Sequence, residues 1–371
     1  MSELNELLAL AGERISELSA TVVGITGSVG KSAVRQFIFE AMSGSFRVHS
    51  LAVGMDSLNE SCRAIADTPD GANVILLEFR TRQKGEIGEL ARMFHVSCGV
   101  ITDDGMLAGG AEIAESPALA RLFFNKDHEA LARAVAAIED DGGRIKKFGA
   151  GFADADVKIS DVRQSVSKSG APELSVLLAH KGEKYGCCAK ILGRQNARNI
   201  ALAFSVAVEL GANPGDICSR MASVQLPNGS GRIHRTAGGG FLIDESCGAS
   251  PDSVSYSLKN IIELETPNEL PKFAILGGMR ELGLNSLYWH EVIMSRASLL
   301  DGVYLIGSEW DGVVTEQSSL RGRWRDADEF MGDFDPRSLG GSVTLLKGSK
   351  HYGMGRILNL LYEPLEAREC L

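Results

Sequence analysis

The segment that most constrains what this chain can fold into is residues 21–42, TVVGITGSVGKSAVRQFIFEAM. Its β-branched first residues predict a short buried strand, and its apolar residues after the glycines recur at helical spacing. A strand, a glycine turn, a lysine, a hydroxyl and a helix in this order are typical of a loop that binds phosphate. The segment therefore predicts an α/β protein whose first strand leads into a nucleotide site.

The predicted phosphate contacts of this P-loop are its small residues and its lysine: Gly27, Ser28, Gly30, Lys31 and Ser32. Glycines allow several backbone N–H groups to point at one anion, and the helix start adds its dipole. The lysine adds positive charge, and the hydroxyl can ligate Mg²⁺. The pattern is the shorter G-x-x-G-K-S form, because Ile25 stands where the common pattern has its first glycine. A glycine turn beside a chance lysine is the structural alternative.

Charge and hydropathy narrow the class of protein. The 371 residues carry a net charge of −10, which argues against duplex nucleic acid as a partner because phosphate binding needs a basic surface. No apolar run approaches the roughly 18 residues that a membrane span needs. The first residues, MSELNELLALAGERISEL, predict an acidic amphipathic helix rather than a signal peptide. We therefore expect a cytoplasmic protein of two or three domains that binds neither nucleic acid nor membranes.

Cysteine and histidine spacing offers no disulfide framework and no metal motif. The seven cysteines are scattered, odd in number and without a C-x-x-C pair, which fits reduced thiols in the cytoplasm. The neighbours Cys187 and Cys188 are interpreted as strand residues rather than as a redox pair. No two histidines stand four residues apart, so no zinc motif is present.

The first half of the chain alternates between the two periodicities. We predict strands at 46–53, 72–79 and 98–102, and helices at 57–66, 85–94 and 115–139, with a break of the last helix near Asn125-Lys126 as the alternative. This alternation predicts a doubly wound, mainly parallel sheet. Glu78 stands near the end of a buried strand, where open α/β sheets bind ligands. Beside a phosphate loop, Glu78 would hold Mg²⁺ directly or through water, and a solvated strand-end glutamate is the alternative.

The second half predicts an antiparallel patch and then a further α/β domain. Segments 157–163, 174–180 and 182–191 alternate in polarity, a helix follows at 196–210, and PNGSG at 227–231 predicts a linker. The α/β rhythm restarts with strands at 241–244, 273–276, 302–306 and 342–346, and helices at 252–264, 286–299 and 353–361. We predict an N-terminal helix (1–20), a central ATP-binding domain (21–228) and a Rossmann-like C-terminal domain (229–371).

Seven segments occur in an order that resembles the Mur ligase family, most nearly its MurF-type members. They are ITGSVGKS (25–32), LLEFRTRQKGEIGEL (76–90), LGRQNARNIALA (192–203), GRIHR (231–235), IDESCGASPDS (243–253), LGGMRELG (276–283) and LKGSKHYGM (346–354). The resemblance covers roughly residues 21–362. It implies that ATP phosphorylates a carboxylate, that an amine attacks the acyl phosphate, and that an amide bond remains. Such chemistry needs positioning and charge neutralisation more than covalent help.

The resemblance implies roles for residues of the P-loop domain and the next domain. Lys31 would hold the β- and γ-phosphates of ATP, while Ser32 and Glu78 would hold Mg²⁺. Asn199 would meet the adenine, and Glu245 would lie near the ribose. A helix cap or a strand-end charge is the structural alternative for the last two.

Further positions lie in the linker and the C-terminal domain. Arg232 would reach the γ-phosphate when the domains close over ATP, and a surface linker arginine is the alternative. Lys347 and Ser349 match a segment that lines the side of the amine substrate. His290 is interpreted as a packed helix histidine.

One departure from the family concerns a second metal. Typical members carry an Ala-Lys step on the central helix, and the carbamylated lysine binds a second Mg²⁺. The corresponding step here is Ala120-Arg121, and the family's histidine soon after residue 102 is missing. Arg121 would either act as a cation against the acyl phosphate or mark a site that lost its chemistry. Four carboxylates stay open as metal ligands: Asp103, Asp104, Glu112 and Glu115.

A second departure concerns the start of the sequence. About 20 residues precede the first strand, so we expect no UDP-sugar-binding domain of the usual kind. We therefore predict a ligase for a small or carrier-bound carboxylate and an amino acid or peptide amine, with a protein partner as one source of the missing domain. The alternatives are a catalytically silent nucleotide-binding homologue that regulates a ligase, and a plain P-loop NTPase.

Overall fold

The computed structural model describes residues 3–28, 30–80, 83–102, 109–138, 143–166, 171–236, 239–266, 269–314 and 319–361. The chain divides into two compact units. The first comprises Met1–Val162, Ser175–Ala189 and Gln195–Val224, and the second comprises Arg163–Leu174, Lys190–Arg194 and Gln225–Leu371. The domain borders predicted at residues 20 and 228 stay a prediction.

The first sheet has nine strands within the described ranges: β1 (Thr21–Thr26), β2 (Val48–Gly54), β3 (Val74–Arg80), β4 (Cys98–Ile101), β5 (Arg121–Asn125), β6 (Lys146–Gly151), β7 (Val157–Val166), β8 (Pro172–His180) and β9 (Glu183–Ala189). Their order is β2-β3-β1-β4-β5-β6-β7-β8-β9, and neighbours pair in parallel from β2 through β7. Lys181 and Gly182, with φ of 49° and 86°, form a two-residue hairpin turn between β8 and β9. The predicted parallel sheet with a small antiparallel patch is confirmed.

Seven helices accompany this sheet in the described part of the chain: α1 (Glu3–Leu18), α2 (Lys31–Met42), α3 (Leu58–Ala66), α4 (Glu86–Met93), α5 (Glu129–Ala136), α6 (Arg194–Glu209) and α7 (Pro214–Arg220). All residues of β3 except the last are buried, as expected for a central parallel strand covered on both faces. Helix α1 packs on α3, and the Arg14 guanidinium donates to the Thr68 carbonyl oxygen at 2.5 and 2.9 Å. No helix among the residues described is long and apolar enough to cross a membrane.

The second sheet has six strands in the described part of the chain: β10 (Arg232–Arg235), β11 (Phe241–Glu245), β12 (Lys272–Gly277), β13 (Gly302–Ile306), β14 (Leu320–Trp324) and β15 (Val343–Lys347). Its helices are α8 (Pro251–Ile262), α9 (Ser286–Ala297), α10 (Ala327–Asp333) and α11 (Met354–Leu361). The strand order is β10-β11-β15-β12-β13-β14, with only β10 antiparallel to its neighbour. Strand β15 lies between β11 and β12, although it follows both in sequence. The carboxyl ends of these three strands therefore form a topological switch point, where such sheets bind ligands.

The helix predicted over 115–139 is wrong in its first half and confirmed in its second, where α5 (Glu129–Ala136) lies. The structure has a 3₁₀ turn at Gly110–Glu115, then strand β5, and only then helix α5. The apolar run Leu122–Phe123–Phe124 is too short for its periodicity to separate a strand from a helix, and its parallel pairing with β4 and β6 decides for a strand. Five other elements were not predicted: β6, β10, β14, α7 and α10.

The cysteines also differ from expectation at one place. Cys187 of β9 is disulfide-bonded to Cys218 of α7, 31 residues away, although reduced thiols are predicted. Sequence spacing gives no sign of this pair, because the fold alone brings α7 against β9. The remaining described cysteines are free: Cys62 and Cys98 are buried, and Cys188 and Cys247 are exposed. Cys370 lies outside the described residues.

Candidate functional site

The P-loop forms at the carboxyl end of β1, as the sequence predicts. Gly27 follows the strand with φ of 132°, and Gly30 caps helix α2 with φ of 87°. A side chain at Gly30 would be strained in this left-handed conformation, and its Cβ would lie 3.1 Å from Asn199 Oδ1. The loop can therefore turn its backbone toward an anion only with glycine at this position. Val29 lies outside the described residues.

Lys31 opens helix α2 and folds back over the loop. Its Nζ donates a 2.6 Å hydrogen bond to the Gly27 carbonyl oxygen. Burial lowers the pKa of Lys31, while the nearby Glu78 carboxylate raises it and Arg80 lowers it further. A partly desolvated ammonium at the mouth of a glycine loop favours binding of phosphate oxygens.

Ser32 and Glu78 meet beside this lysine. Parallel pairing places Glu78 of β3 opposite Ile25 of β1, at the edge where the loop leaves the sheet. The Ser32 hydroxyl donates to Glu78 Oε1 at 2.8 Å, and Glu78 is only 3% exposed. Its second oxygen, Oε2, is buried and accepts no hydrogen bond from any residue that the structure describes. A hydroxyl and a buried carboxylate with spare oxygen capacity fit Mg²⁺, which prefers such hard ligands.

A residue that the sequence analysis missed also contacts Glu78. Arg35 Nε lies 3.0 Å from Glu78 Oε2, close enough for an ion pair although the geometry is not that of a hydrogen bond. Arg80 Nε lies 3.9 Å from Oε1 on a side chain that is 68% exposed. Arg35 stands four residues after Lys31 on α2, so both project from the same helix face. That spacing is the signal that would have found it.

Asn199 of α6 is brought to the P-loop, next to Gly30. Its Nδ2 donates a 3.0 Å hydrogen bond to Asn196 Oδ1 one turn earlier. Its neighbour Arg198 donates to Asp127 Oδ2 at 2.7 Å, which ties α6 to the loop after β5. Arg198 and Asp127 thus position Asn199, and sequence reasoning singled out neither. The predicted contact of Asn199 with adenine stays a prediction.

Arg121 lies at the opposite edge of the sheet and requires a correction. It is the first residue of β5 and pairs with Cys98, which in turn pairs with Val23 near the start of β1. The P-loop leaves β1 at its other end. A rise of about 3.3 Å per residue makes β5 roughly 13 Å long. Arg121 therefore cannot act against phosphates held by the loop, and the Ala120-Arg121 step lies on no helix.

The other acidic candidates near the first sheet serve local contacts. Glu112 accepts the Gly85 backbone N–H at 2.9 Å, at the start of α4, and Glu115 forms an ion pair with Arg92. Asp103 and Asp104 lie outside the described residues. Among the residues that are described, no group of three or more His, Cys, Asp or Glu side chains is placed to hold a metal.

In the second unit, Glu245 and Lys347 form a pair at the carboxyl edge. They end the neighbouring strands β11 and β15 in direct register. Lys347 Nζ donates to Glu245 Oε2 at 3.0 Å and to the Gly248 carbonyl oxygen at 3.2 Å, while the Ser257 hydroxyl donates to the same carboxylate. The Lys347 side chain is only 6% exposed, so the pair is a buried, satisfied one. The predicted ribose role of Glu245 stays a prediction.

Two glycines sit beside this pair and allow a close approach of strand ends. A Cβ on Gly348 would lie 2.8 Å from the Cα of Gly277, so the backbones after β15 and β12 touch where any larger residue would separate them. Ser349 follows and accepts the His351 backbone N–H at 3.4 Å. This carboxyl edge thus combines closely packed glycine backbones with the charged pair Glu245 and Lys347.

Arg232 and His290 complete the predicted set. Arg232 donates to Asn228 Oδ1 and to Gln225 Oε1, both at 2.9 Å, and its predicted phosphate contact stays a prediction. His290 is fully buried: its Nε2 accepts the Met279 N–H at 3.0 Å, and Nδ1–H donates to the Ser286 carbonyl oxygen at 2.7 Å. The packed interpretation of His290 is confirmed.

Curated relatives of the chain are peptide ligases by name. The UDP-N-acetylmuramoyl-tripeptide–D-alanyl-D-alanine ligase of Bacillus subtilis is 25% identical over 293 residues, which cover 76% of this chain and 61% of that protein. The enzyme of the same name from Synechocystis is 23% identical over 354 residues, covering 92% and 74%. The chain thus spans less than two thirds of the Bacillus relative. Comparison with models of protein families finds no match.

Solved structures share the fold. The MurF ligase of Thermotoga maritima in complex with ADP superposes with a TM-score of 0.80 at 21% identity, over 99% of this chain and 85% of that one. A MurF structure from Acinetobacter baumannii gives a TM-score of 0.81 at 17% identity, over 96% and 80%. At such identities the similarity establishes the arrangement of strands and helices.

Proposed function

We propose that this chain, which belongs to the Mur ligase family and is of the MurF type, is an ATP-dependent ligase that joins a carboxylate to an amine. The observation that carries the proposal is the Ser32–Glu78 hydrogen bond beside Lys31 and the P-loop glycines. A glycine loop, an ammonium and a buried metal-type carboxylate together suit a nucleoside triphosphate. The relatives named as ligases support amide formation as the reaction.

In the proposed reaction, a substrate carboxylate oxygen attacks the γ-phosphorus of ATP. ADP leaves, and an acyl phosphate forms. The amine nitrogen of the second substrate then attacks the carbonyl carbon, inorganic phosphate leaves, and the nitrogen loses a proton. The backbone N–H groups of the loop and the Lys31 ammonium would hold the phosphates in line, which is where most of the catalysis of phosphoryl transfer comes from.

Mg²⁺, held by Ser32 and Glu78, would neutralise the charge on the phosphates when bound. Ser32 and Glu78 also prepare this site for the metal. The Ser32 hydroxyl fixes one Glu78 oxygen, and burial keeps competing water away from the carboxylate. The substrates proposed are a carboxylate and an amino acid or peptide amine.

The test is inorganic phosphate release that requires ATP, a carboxylate and an amine together, with the amide product identified by mass spectrometry. The carboxylate panel includes UDP-N-acetylmuramoyl tripeptide, named in the relatives, and short peptides; the amine panel includes D-alanyl-D-alanine and single amino acids. Lys31→Ala should lower turnover on the order of a hundredfold or more. Lys158→Ala, an exposed lysine on β7, is the matched control and should turn over normally. Turnover by Lys31→Ala at the rate of the wild type contradicts the proposal.

One observation favours the alternative of a nucleotide-binding homologue that is catalytically silent. Residues 109–120, between β4 and β5, contain only a 3₁₀ turn, whereas typical family members are expected to carry a metal-binding lysine on a helix in this region. This alternative predicts Lys31-dependent ADP and ATP binding with no phosphate release for any pair of substrates. Amide formation by the wild-type chain contradicts it.

A further inference from the structure

We infer that Arg35 competes with Mg²⁺ for the Glu78 carboxylate. It is a positioning residue that sets the Mg²⁺ concentration at which the proposed site binds a nucleotide. The inference rests on the proposed nucleotide site and concerns its regulation by a divalent cation. Arg121 was predicted to act against the acyl phosphate, which is a different role; the guanidinium beside Glu78 is that of Arg35 on helix α2.

The geometry divides the two oxygens of Glu78 between two partners. Oε1 accepts the Ser32 hydroxyl at 2.8 Å, and Oε2 lies 3.0 Å from Arg35 Nε. The carboxylate is 4% exposed at its side chain and the arginine 21%. Among the residues described, no donor hydrogen-bonds Oε2, so the charge of Arg35 is the nearest compensation for this nearly dry carboxylate oxygen.

The other cations near Glu78 are less able to neutralise it. Lys31 is turned toward the Gly27 carbonyl oxygen, and Arg80 lies 3.9 Å away on a side chain that is 68% exposed, where water screens its charge. Within the described ranges, which leave out residues 81 and 82, Lys31, Arg35 and Arg80 are the cations found near the carboxylate. Arg35 is therefore the main counter-ion of Glu78 in the metal-free protein.

A metal that arrives at Ser32 and Glu78 must share the carboxylate with this guanidinium. Arginine stays charged under all ordinary conditions, so the site cannot remove the repulsion by releasing a proton. In a partly buried site, a fixed positive charge next to a divalent cation opposes binding strongly. Arg35 should accordingly weaken Mg²⁺ binding while keeping Glu78 oriented toward Ser32.

The experiment measures binding rather than turnover. Isothermal titration calorimetry gives the ADP affinity at a series of free Mg²⁺ concentrations. From this series follows the Mg²⁺ concentration at which half of the Mg²⁺-dependent change in ADP affinity is reached. Arg35→Gln should lower that concentration roughly tenfold, because the charge is lost while the amide can still hydrogen-bond the carboxylate. Arg35→Lys, which keeps the charge, should stay near wild type. Arg80→Gln should change it by less than about twofold because of solvent screening.

Arg63→Gln is the control for loss of a surface arginine, since Arg63 pairs with Glu3 on another helix and is 60% exposed. Should Arg35→Gln not fold, Arg35→Met serves in its place. An unchanged or higher Mg²⁺ requirement in the neutral variant overturns the inference and leaves Arg35 as an orienting group only. Wild-type protein that binds ADP without any response to Mg²⁺ also overturns it, while the nucleotide site stands. Wild-type protein that binds no ADP at all removes the proposed function and this inference together.

Discussion

Gly30 shows how one residue sets the shape of the P-loop. It holds φ of 87°, and a Cβ there would approach Asn199 Oδ1 to 3.1 Å. Gly30→Ala should therefore lower the free energy of unfolding by about 1–2 kcal/mol and weaken ADP binding. Gly12→Ala is the matched control: Gly12 lies inside α1 with no atom within 4 Å of its would-be Cβ, so alanine should stabilise by about 0.5–1 kcal/mol.

Urea unfolding and calorimetry of ADP binding measure both effects. Equal behaviour of the two alanine variants would show that the loop tolerates a side chain at Gly30 and that its conformation differs from the one described.

His290 predicts a pH dependence of the second unit. Burial lowers its pKa against the opposing effect of the Ser286 carbonyl and Glu309. Below the ordinary pKa of about 6.5, the unfolded chain binds a proton that the folded chain refuses, so stability falls with pH by at most about 1.4 kcal/mol per unit. The loss is absent at pH 7.5 and sets in as the pH drops through about 6.5.

His290→Gln should be less stable at pH 7.5 yet lose less stability between pH 7.5 and pH 5. Urea unfolding followed by tryptophan fluorescence provides the measurement. His234 also has a pKa lowered by burial in the same unit, so the slope should shrink rather than vanish. An identical slope in the variant would show that His290 takes up its proton in the folded state.

At the scale of elements, the link between β9 and α7 carries a prediction. The Cys187–Cys218 disulfide closes a loop of 31 residues, which should contribute about 3–4 kcal/mol to the stability of the oxidised protein. Reductant should therefore lower the melting temperature of the wild type and leave that of Cys187→Ser unchanged. Cys188→Ser, exposed and unpaired, should keep the full response to reductant. Mass spectrometry that finds both thiols free in purified protein would refute the link.

Elements with strong local signals were predictable, and those defined by their neighbours were not. The P-loop strand and helix α2 follow from residues that are adjacent in sequence. Strand β5 was predicted as helix because three consecutive apolar residues are too few to show either a helical or a strand periodicity. Only their pairing with β4 and β6 makes them a strand. The edge strand β14, LRGRW, has two exposed arginines and too little apolar character to predict.

At the scale of the whole molecule, placing a residue in the site requires knowing which end of a strand it occupies. Glu78 was predictable because it lies near the carboxyl end of its strand, and parallel strands bring their carboxyl ends to the P-loop edge. Arg121 was misplaced because it is the first residue of β5 and therefore lies at the amino-terminal edge of the parallel strands, away from the P-loop. The four-residue spacing from Lys31 is enough to place Arg35 on the same face of α2. Its partner Glu78 is 43 residues away in sequence, so only the fold identifies the ion pair.

The division of the chain into two units has an optical consequence. All three tryptophans, Trp289, Trp310 and Trp324, belong to the second unit, whereas the P-loop belongs to the first. Tryptophan fluorescence therefore reports on the second unit, whereas the nucleotide is proposed to bind in the first. A change in tryptophan emission when ADP is added would show that binding in the first unit alters the surroundings of tryptophans in the second. No attached dye is needed for this measurement.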